Sequence, residues 1–212
     1  MPLWQRKAHP HNQDAQNMAH RDFEAARLDI STLGNATSLS IHTIRKSEWK
    51  RLRGLDGLDL ESLSLRWLSA PDLTVVPMPP KLRSLTVWHS NKLKSLNGVE
   101  QAADLEEVDL RENGQPLSLA ALAGLTKLKV LRIQGGYGAG QRLTDLDGIE
   151  GLPIETLEMQ AIDGTNLDLG PIARLPKLKA LDIPPQCFAR NELARIAASH
   201  PWYDPADWSP QP

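Results

Sequence analysis

The sequence predicts an α/β repeat fold in which short parallel strands stack in the order of the chain. Three observations lead to this prediction. A pattern of apolar residues at three positions, which we number offsets 0, 3 and 5, occurs seven times in the 212 residues. The seven copies are nearly evenly spaced, and a second pair of apolar residues recurs between them. Self-similarity at a fixed period of about 20–50 residues is the signature of repeat architectures.

The seven copies predict strands at regular intervals. They begin at residues 36, 60, 82, 105, 128, 154 and 178. In the fourth copy the apolar residues are Leu105, Val108 and Leu110, and Asn113 follows at offset 8. Because alternate side chains share one face of a strand, offsets 3 and 5 face one side and offsets 2, 4 and 6 the other. One such strand cannot bury its apolar face alone, so the copies must stack.

At these residues the sequence resembles the leucine-rich repeat family, whose signature is L-x-x-L-x-L-x-x-N/C-x-L. The resemblance covers about residues 36–185 and is to short, irregular repeats of the bacterial type. It implies a right-handed solenoid of about seven rungs, with strands on the concave side and short turns on the convex side. Only Asn113 keeps the asparagine of the signature. We therefore expect the backbone groups of the other turns to find different partners, or those turns to be wider.

The segments between strands predict the turns. Apolar residues three apart suit a 3₁₀ turn. Four such pairs occur, namely Leu96/Val99, Leu119/Leu122, Leu146/Ile149 and Leu169/Ile172. The glycine-rich segment 135–140 lies in the longest interval and predicts a loop insertion. Ser47 is expected to cap a short helix over Ser47–Leu52.

The two ends of the repeat array divide the chain into three regions. Residues 1–35 are predicted to form an N-terminal tail and a capping helix over Asp14–Leu28. Residues 36–185 form the solenoid, and residues 186–212 a C-terminal capping helix over Asn191–His200 followed by a tail containing Pro and Trp. Caps are expected because the terminal rungs otherwise expose apolar core.

The side chains at offsets 2, 4 and 6 are expected on the concave surface of the sheet, which we call the polar sheet face. The residues predicted to bind a partner lie on this face or at its edge: His42, Arg66, Trp67, Trp88, His89, Glu107, Asp109, Arg111, Arg132, Gln134, Glu158 and Gln160. Trp88 is the expected anchor, because Trp and Arg are enriched at interface hot spots. Alternatively, Trp88 only stacks on Arg66 and Arg111, or a shift of register buries it.

Composition argues against several classes of partner. The formal net charge is −2, and offsets 2, 4 and 6 carry three Arg against four acidic residues. Neither nucleic acid nor an anionic membrane is therefore an expected partner. Cys187 is the single cysteine, which fits a reducing compartment, and is expected to be half-buried. Without an apolar run of ~18 residues or the apolar core of a signal peptide, a cytoplasmic location is predicted.

No catalytic residue, metal or cofactor is predicted. A metal site in the N-terminal segment would need more ligands than the three histidines His9, His11 and His20. A hydrolytic site could be imitated by His42, His89 and Asp109 with Ser40 or Ser64. No nucleophile elbow or phosphate-binding glycine loop accompanies these residues, so a polar sheet face explains them better.

The sequence thus predicts a non-catalytic module that binds another protein. The favoured hypothesis is a cytosolic bacterial inhibitor of the immunity type, whose partner is a toxin. One alternative is a secreted effector or an adaptor that uses the same face. A hydrolase of unrecognised type is the remaining alternative.

Overall fold

A computed structural model describes residues 20–136, 140–164 and 166–206 of the chain. Its main feature is one eight-stranded parallel sheet, and a separate two-stranded sheet joins the pair β7–β9. The strands are β1 (His20–Glu24), β2 (Ser38–His42), β3 (Ser62–Arg66), β4 (Ser84–Trp88), β5 (Glu107–Arg111), β6 (Val130–Gln134), β7 (Gln141–Arg142), β8 (Thr156–Gln160), β9 (Ile162–Asp163) and β10 (Ala180–Asp182). The main sheet follows chain order, which is compatible with a solenoid-like α/β fold.

Neighbouring strands pair at equal offsets. Leu63, for example, is opposite Leu39 on one side and Leu85 on the other. From β2 to β8 the side chains at offsets 3 and 5 are buried: Leu39, Ile41, Leu63, Leu65, Leu85, Val87, Val108, Leu110, Leu131, Ile133, Leu157 and Met159. This in-register stacking gives each strand the apolar neighbours that it cannot supply itself, as the spacing predicts.

Short helices connect the strands. The 3₁₀ helices span Ala25–Arg27, Ile30–Thr32, Lys46–Leu52, Leu55–Gly57, Val99–Gln101, Ala120–Gly124, Asp147–Ile149 and Pro185–Cys187, and α1 spans Gly170–Ala173. Turns therefore lie at or beside all four predicted apolar pairs. Close packing between turns requires glycine at position 148, because a Cβ there would overlap the backbone of Leu119.

The N-terminal prediction is wrong for the described part of the segment. Residues 14–19 of the expected helix lie outside the described residues, while His20–Glu24 is a strand, followed by the 3₁₀ turn. β1 pairs with the open edge of β2, which satisfies backbone groups that an edge strand leaves unpaired. This strand does not match the apolar repeat pattern, because Arg21 occupies the offset-3 position opposite Leu39.

A helix is present close to the bounds predicted near the C-terminus. Helix α2 spans Arg190–Ser199, and its buried residues Leu193 and Ile196 face the core beside α1. The expected cap at Ser47 is wrong: its helix begins at Lys46, and the Ser47 hydroxyl donates to Glu48 Oε1 at 2.6 Å. Arg45 occupies the N-cap position of this helix, and no side chain in the described part of the chain caps it.

Candidate functional site

The polar sheet face divides into two parts. We call the first part the aromatic cluster, which consists of His42, Arg66, Trp67, Trp88 and His89. We call the second part the ion-pair network, which consists of Glu107, Asp109, Arg111, Arg132 and Glu158. The aromatic cluster spans β2 to β4 and the turns that follow β3 and β4, whereas the network spans β5, β6 and β8. The division follows directly from which residues occupy offsets 2, 4, 6 and 7 in successive strands.

Ring contacts join the whole aromatic cluster. The guanidinium carbon of Arg66 lies 4.4 Å from the centroid of the Trp88 ring, at cation–π distance. His89 stacks on Trp88 at 4.9 Å with an interplanar angle of 17°, and on Trp67 at 6.1 Å with an angle of 9°. His42 meets Trp67 edge-on at 6.2 Å. His89 is therefore the central ring, since it stacks on both indoles.

The backbone at the ends of the strands places two of these rings. Non-glycine residues with positive φ recur at offset 7: Thr43 (57°), Trp67 (53°), His89 (53°), Glu112 (52°) and Ala161 (50°). Bulky residues rarely adopt this left-handed conformation, which costs about 1–2 kcal/mol per residue. The Trp67 N–H donates to Trp88 O at 2.9 Å, and the His89 N–H donates to Arg111 O at 3.0 Å. Pairing with the next strand thus holds the turn in place, and the turn carries the rings to the edge of the face.

The fifth copy breaks this column. Its offset-7 residue is Gly135, where a Cβ would overlap the carbonyl oxygen of Ala161 and the amide nitrogen of Gln141. The β7–β9 pair begins here, so the predicted loop insertion brings the chain back against its neighbour. Residues 137–139 of that insertion lie outside the described residues.

The two histidines of the cluster have carboxylate neighbours. His89 Nδ1 lies 3.2 Å from Glu112 Oε2, and His42 Nε2 lies 4.0 Å from Asp22 Oδ1. Arg66 differs, because no carboxylate in the described part of the chain lies within the 4.0 Å of an ion pair. Its Nε, like the indole nitrogen of Trp88, is buried without a hydrogen-bond partner among the described residues.

Exposure within the cluster differs from the sequence expectation. Trp88 is half-buried beneath Arg66 and beside His89, whereas Trp67 is 50% exposed. Serine or threonine occupies offsets 2 and 4 of β2, β3 and β4: Ser38, Ser40, Ser62, Ser64, Ser84 and Thr86. Because these side chains are short, the rings of the aromatic cluster are the largest side chains in this part of the face.

The ion-pair network consists of acids and arginines paired with each other. Arg111 donates from Nε and Nη2 to Asp109 at 2.9 and 2.5 Å, and Asp109 is only 5% exposed. The hydrogen bonds to Asp109 raise the pKa of Arg111, and the nearby charges of Asp109, Glu107 and Glu158 add to this. Arg132 bridges Glu107 and Glu158, the latter at 3.1 Å.

All twelve residues predicted to bind a partner lie on the polar sheet face or at its edge, and ten of them form the aromatic cluster and the ion-pair network. Gln134 is exposed at the end of β6, and Gln160 donates to Asp182 Oδ2 at 2.9 Å. Sequence reasoning missed Glu112 and Asp22, which contact the two cluster histidines. Glu112 could have been identified from the sequence, because it occupies offset 7 in the copy directly after the one that contains His89.

The catalytic alternative finds little support in the geometry of its residues. Asp109 binds Arg111 rather than a histidine, and His89 faces Glu112. In the described part of the chain, a serine–histidine contact joins His20 Nδ1 and Ser38 Oγ at 3.0 Å. Among the described residues, no carboxylate contacts the ring of His20 to orient it, as a hydrolytic triad requires.

Two further sequence expectations concern metal ions and Cys187. No three metal-binding side chains in the described ranges come close enough to hold an ion, and His9 and His11 lie outside those ranges. Cys187 is half-buried, and burial raises the pKa of its thiol, with the charge of Asp163 adding to this. A raised pKa makes a thiol less reactive at neutral pH.

Across the described ranges, no helix combines the length and apolar character that crossing a bilayer requires. No protein-family model matches the chain.

Proposed function

We propose that this chain is a non-catalytic protein-binding module of the leucine-rich repeat type, which engages its partner through the polar sheet face. The partner is a toxin, and the chain acts as a cytosolic bacterial inhibitor of the immunity type. The observation that carries the proposal is the aromatic cluster, with a half-exposed Trp67 joined by stacked rings to Trp88 and Arg66. Exposed Trp and Arg side chains are typical of interface hot spots.

The size of the face supports binding to a protein. Eight strands at a spacing of about 4.8 Å give a platform of about 35 Å, enough for an interface of standard size. The cluster residues hold each other through ring contacts before any partner arrives. Side chains that are already ordered lose less entropy on binding, which favours affinity.

The ion-pair network supports specificity in the same proposal. Its acids and arginines alternate across neighbouring strands, with Arg132 between Glu107 and Glu158. A partner that covers the network must present polar groups that match its arrangement of charge, and such complementarity selects partners more than it adds affinity.

Site-specific photo-crosslinking tests the proposal. A photoreactive amino acid replaces Gln134, which is exposed on the face, or Lys50, which is exposed on the segment between β2 and β3. In lysate of the source organism we expect one adduct from position 134 and none from position 50. Excess unlabelled wild-type protein should suppress that adduct, whereas a Trp88→Ala/Arg111→Glu variant should not. Equal adducts at both positions, no adduct at position 134, or equal competition by the variant would each contradict the proposal.

The toxin part needs a separate experiment. The crosslinked partner is expressed in a foreign bacterial host with or without this chain. Growth arrest that the wild-type chain relieves, and the Trp88→Ala/Arg111→Glu variant does not, is the expected result. A partner that leaves growth unchanged would instead favour an adaptor role for the same face.

A further inference from the structure

We propose that the aromatic cluster recognises an acidic residue of the partner protein that has an apolar side chain next to it. The carboxylate binds the guanidinium of Arg66, and the neighbouring apolar side chain covers the indole of Trp67. This inference rests on the proposed function and specifies the chemistry of the group that the face accepts.

Charge pairing singles out Arg66. Arg111 binds Asp109, and Arg132 binds Glu107 and Glu158, so these arginines are already neutralised. Within the described ranges, Arg66 has no carboxylate at ion-pair distance. An incoming carboxylate therefore gains an attraction at Arg66 that it cannot gain elsewhere in the face without displacing an internal acid.

The stack beneath Arg66 prepares it for this role. The guanidinium lies over Trp88, and His89 supports the other ring contacts of the cluster. An arginine held over an aromatic ring presents its terminal N–H donors in a limited range of orientations, and guanidinium N–H donors match the two oxygens of a carboxylate. Little side-chain entropy remains to be lost, which makes the contact more favourable than one to a mobile surface arginine.

The surroundings favour a single carboxylate over a polyanion. Glu112 lies beside His89 and Asp22 beside His42, and Asp109 occupies the next strand along from β4. These acids would repel the successive phosphates of a nucleic acid, which need several cations in a row. The half-exposed Trp67 favours an apolar side chain next to that carboxylate, because covering the exposed indole ring with an apolar group removes its apolar surface from water.

Selection from a displayed library of random twelve-residue peptides tests the inference. The immobilised targets are the wild-type chain, Arg66→Glu and, as a control with the same charge change, Lys50→Glu on the segment between β2 and β3. Wild type and Lys50→Glu should enrich peptides with Asp or Glu next to an aromatic or aliphatic residue. Arg66→Glu should lose that preference. Selection without acidic enrichment on wild type, no enriched peptide at all, or the same enrichment on Arg66→Glu would overturn the inference.

A double-mutant cycle then tests direct contact. An enriched peptide and its Glu→Gln or Asp→Asn version are synthesised and titrated by fluorescence anisotropy. We expect either Arg66→Gln or the peptide change to weaken binding about tenfold, and both together to weaken it little further, since they remove the same contact. Independent, multiplying effects would contradict a direct contact. Circular dichroism melts establish that the variants fold. If Arg66→Gln does not fold, Trp67→Ala should weaken binding about tenfold while the peptides keep their acidic preference, and unchanged affinity would overturn the inference.

The two proposals fail in distinguishable ways. If crosslinking at position 134 captures a partner whose contact surface has no acidic residue facing Arg66, the protein-binding function stands and this inference falls. If acidic peptides bind through Arg66 but no cellular partner crosslinks at the face, the site chemistry stands and the proposed function falls.

Discussion

Asn113 Oδ1 accepts a hydrogen bond of 3.0 Å from the backbone N–H of Ser90, one strand away in the sheet. The side-chain nitrogen of Asn113 donates to Val87 O at 3.2 Å, and Ser90 Oγ accepts from the Leu68 N–H at 3.2 Å. Ser90 and Asn113 thus play the same part, because the side chain of each accepts a hydrogen bond from a backbone N–H in the turn of the preceding repeat. The turns of three successive repeats are linked by this chain of buried hydrogen bonds.

Replacing Asn113 by alanine should destabilise the fold. The residue is 2% exposed, so its loss leaves the Ser90 N–H buried without this partner and removes the hydrogen bond to the Val87 carbonyl. We expect the free energy of unfolding to fall by about 2–3 kcal/mol, measured by urea denaturation. The control is Asn97→Ala, an exposed position, where a change within about 0.5 kcal/mol is expected. Equal effects at both positions would show that the buried hydrogen bonds contribute little.

Arg132 should be required to neutralise the carboxylates beside it. Its side chain is 16% exposed and binds both Glu107 and Glu158, so Arg132→Met leaves two partly buried acids unpaired. We expect a loss of about 2 kcal/mol in the free energy of unfolding. Arg53→Met, at an exposed site, is the control and should change stability by less than about 0.5 kcal/mol.

The same network should tolerate complete neutralisation better than partial removal. The triple variant Glu107→Gln/Arg132→Met/Glu158→Gln removes all three charges and leaves no uncompensated acid. Stability should return to within about 1 kcal/mol of wild type in urea denaturation. A triple variant as unstable as Arg132→Met alone would indicate that packing of the arginine stem, and not its charge, holds this part of the face.

Ala161→Gly should stabilise the chain slightly. Ala161 has φ 50°, where glycine has no steric cost, and its side chain is exposed. We expect a gain of up to about 1 kcal/mol in the free energy of unfolding, reduced by the added flexibility of the unfolded chain. Ala123→Gly, an exposed position in the 3₁₀ helix Ala120–Gly124, should instead lose about 0.5–1 kcal/mol. Destabilisation of equal size at both positions would contradict backbone strain at Ala161.

Tyr203 should make stability depend on pH in the alkaline range. Burial raises the pKa of Tyr203 to about 12, and the charges of Asp182 and Asp204 act in the same direction. In the unfolded chain the phenol ionises near pH 10, so the contribution of the neutral phenol is complete below about pH 10 and is lost towards pH 12. Urea denaturation at pH 8 and at pH 11 should show a smaller loss of stability for Tyr203→Phe than for wild type.

The same variant tests the hydroxyl at neutral pH. Tyr203 Oη is buried without a hydrogen-bond partner among the described residues. Tyr203→Phe should therefore leave stability at pH 7 unchanged or raise it by up to about 1 kcal/mol, because an unsatisfied buried hydroxyl is costly. A loss above about 1 kcal/mol would mean that the hydroxyl has a partner in solution.

Strands β2 to β6, β8 and β10 could be predicted because their pattern is local and repeated, whereas the short strands β7 and β9 do not belong to that pattern. Leu63 and Leu65 are two residues apart in one strand, so both side chains face the core, and this holds whatever residues the neighbouring repeat contains. The strand His20–Glu24 could not be predicted, since Arg21 interrupts the pattern and only the open edge of β2 favours an extended backbone there. The segment Asp14–Leu28 was expected to be helical on its own composition, which ignores that edge.

The candidate site was predictable as a set of positions but not as two groups. Offsets identified Arg66 and Trp88 as neighbours on adjacent strands, and the register places them so. The offsets did not reveal that Trp67 and His89 have positive φ and lie at the edge of the face as stacked rings. Backbone conformation after a strand depends on pairing with the next one, as the Trp67 N–H bond to Trp88 O shows.

The amino-acid sequence by itself determined the period, the alternation of buried and exposed side chains and the residue types that occupy the polar sheet face. These properties follow from a strand repeat of two residues and from leucines at fixed intervals. The tertiary structure decided which charges neutralise each other: among the described residues Arg66 lies over Trp88 with no carboxylate at ion-pair distance, while Arg132 lies between two. Pairing distances of a few ångströms depend on side-chain rotamers and neighbouring strands, and no linear pattern encodes them.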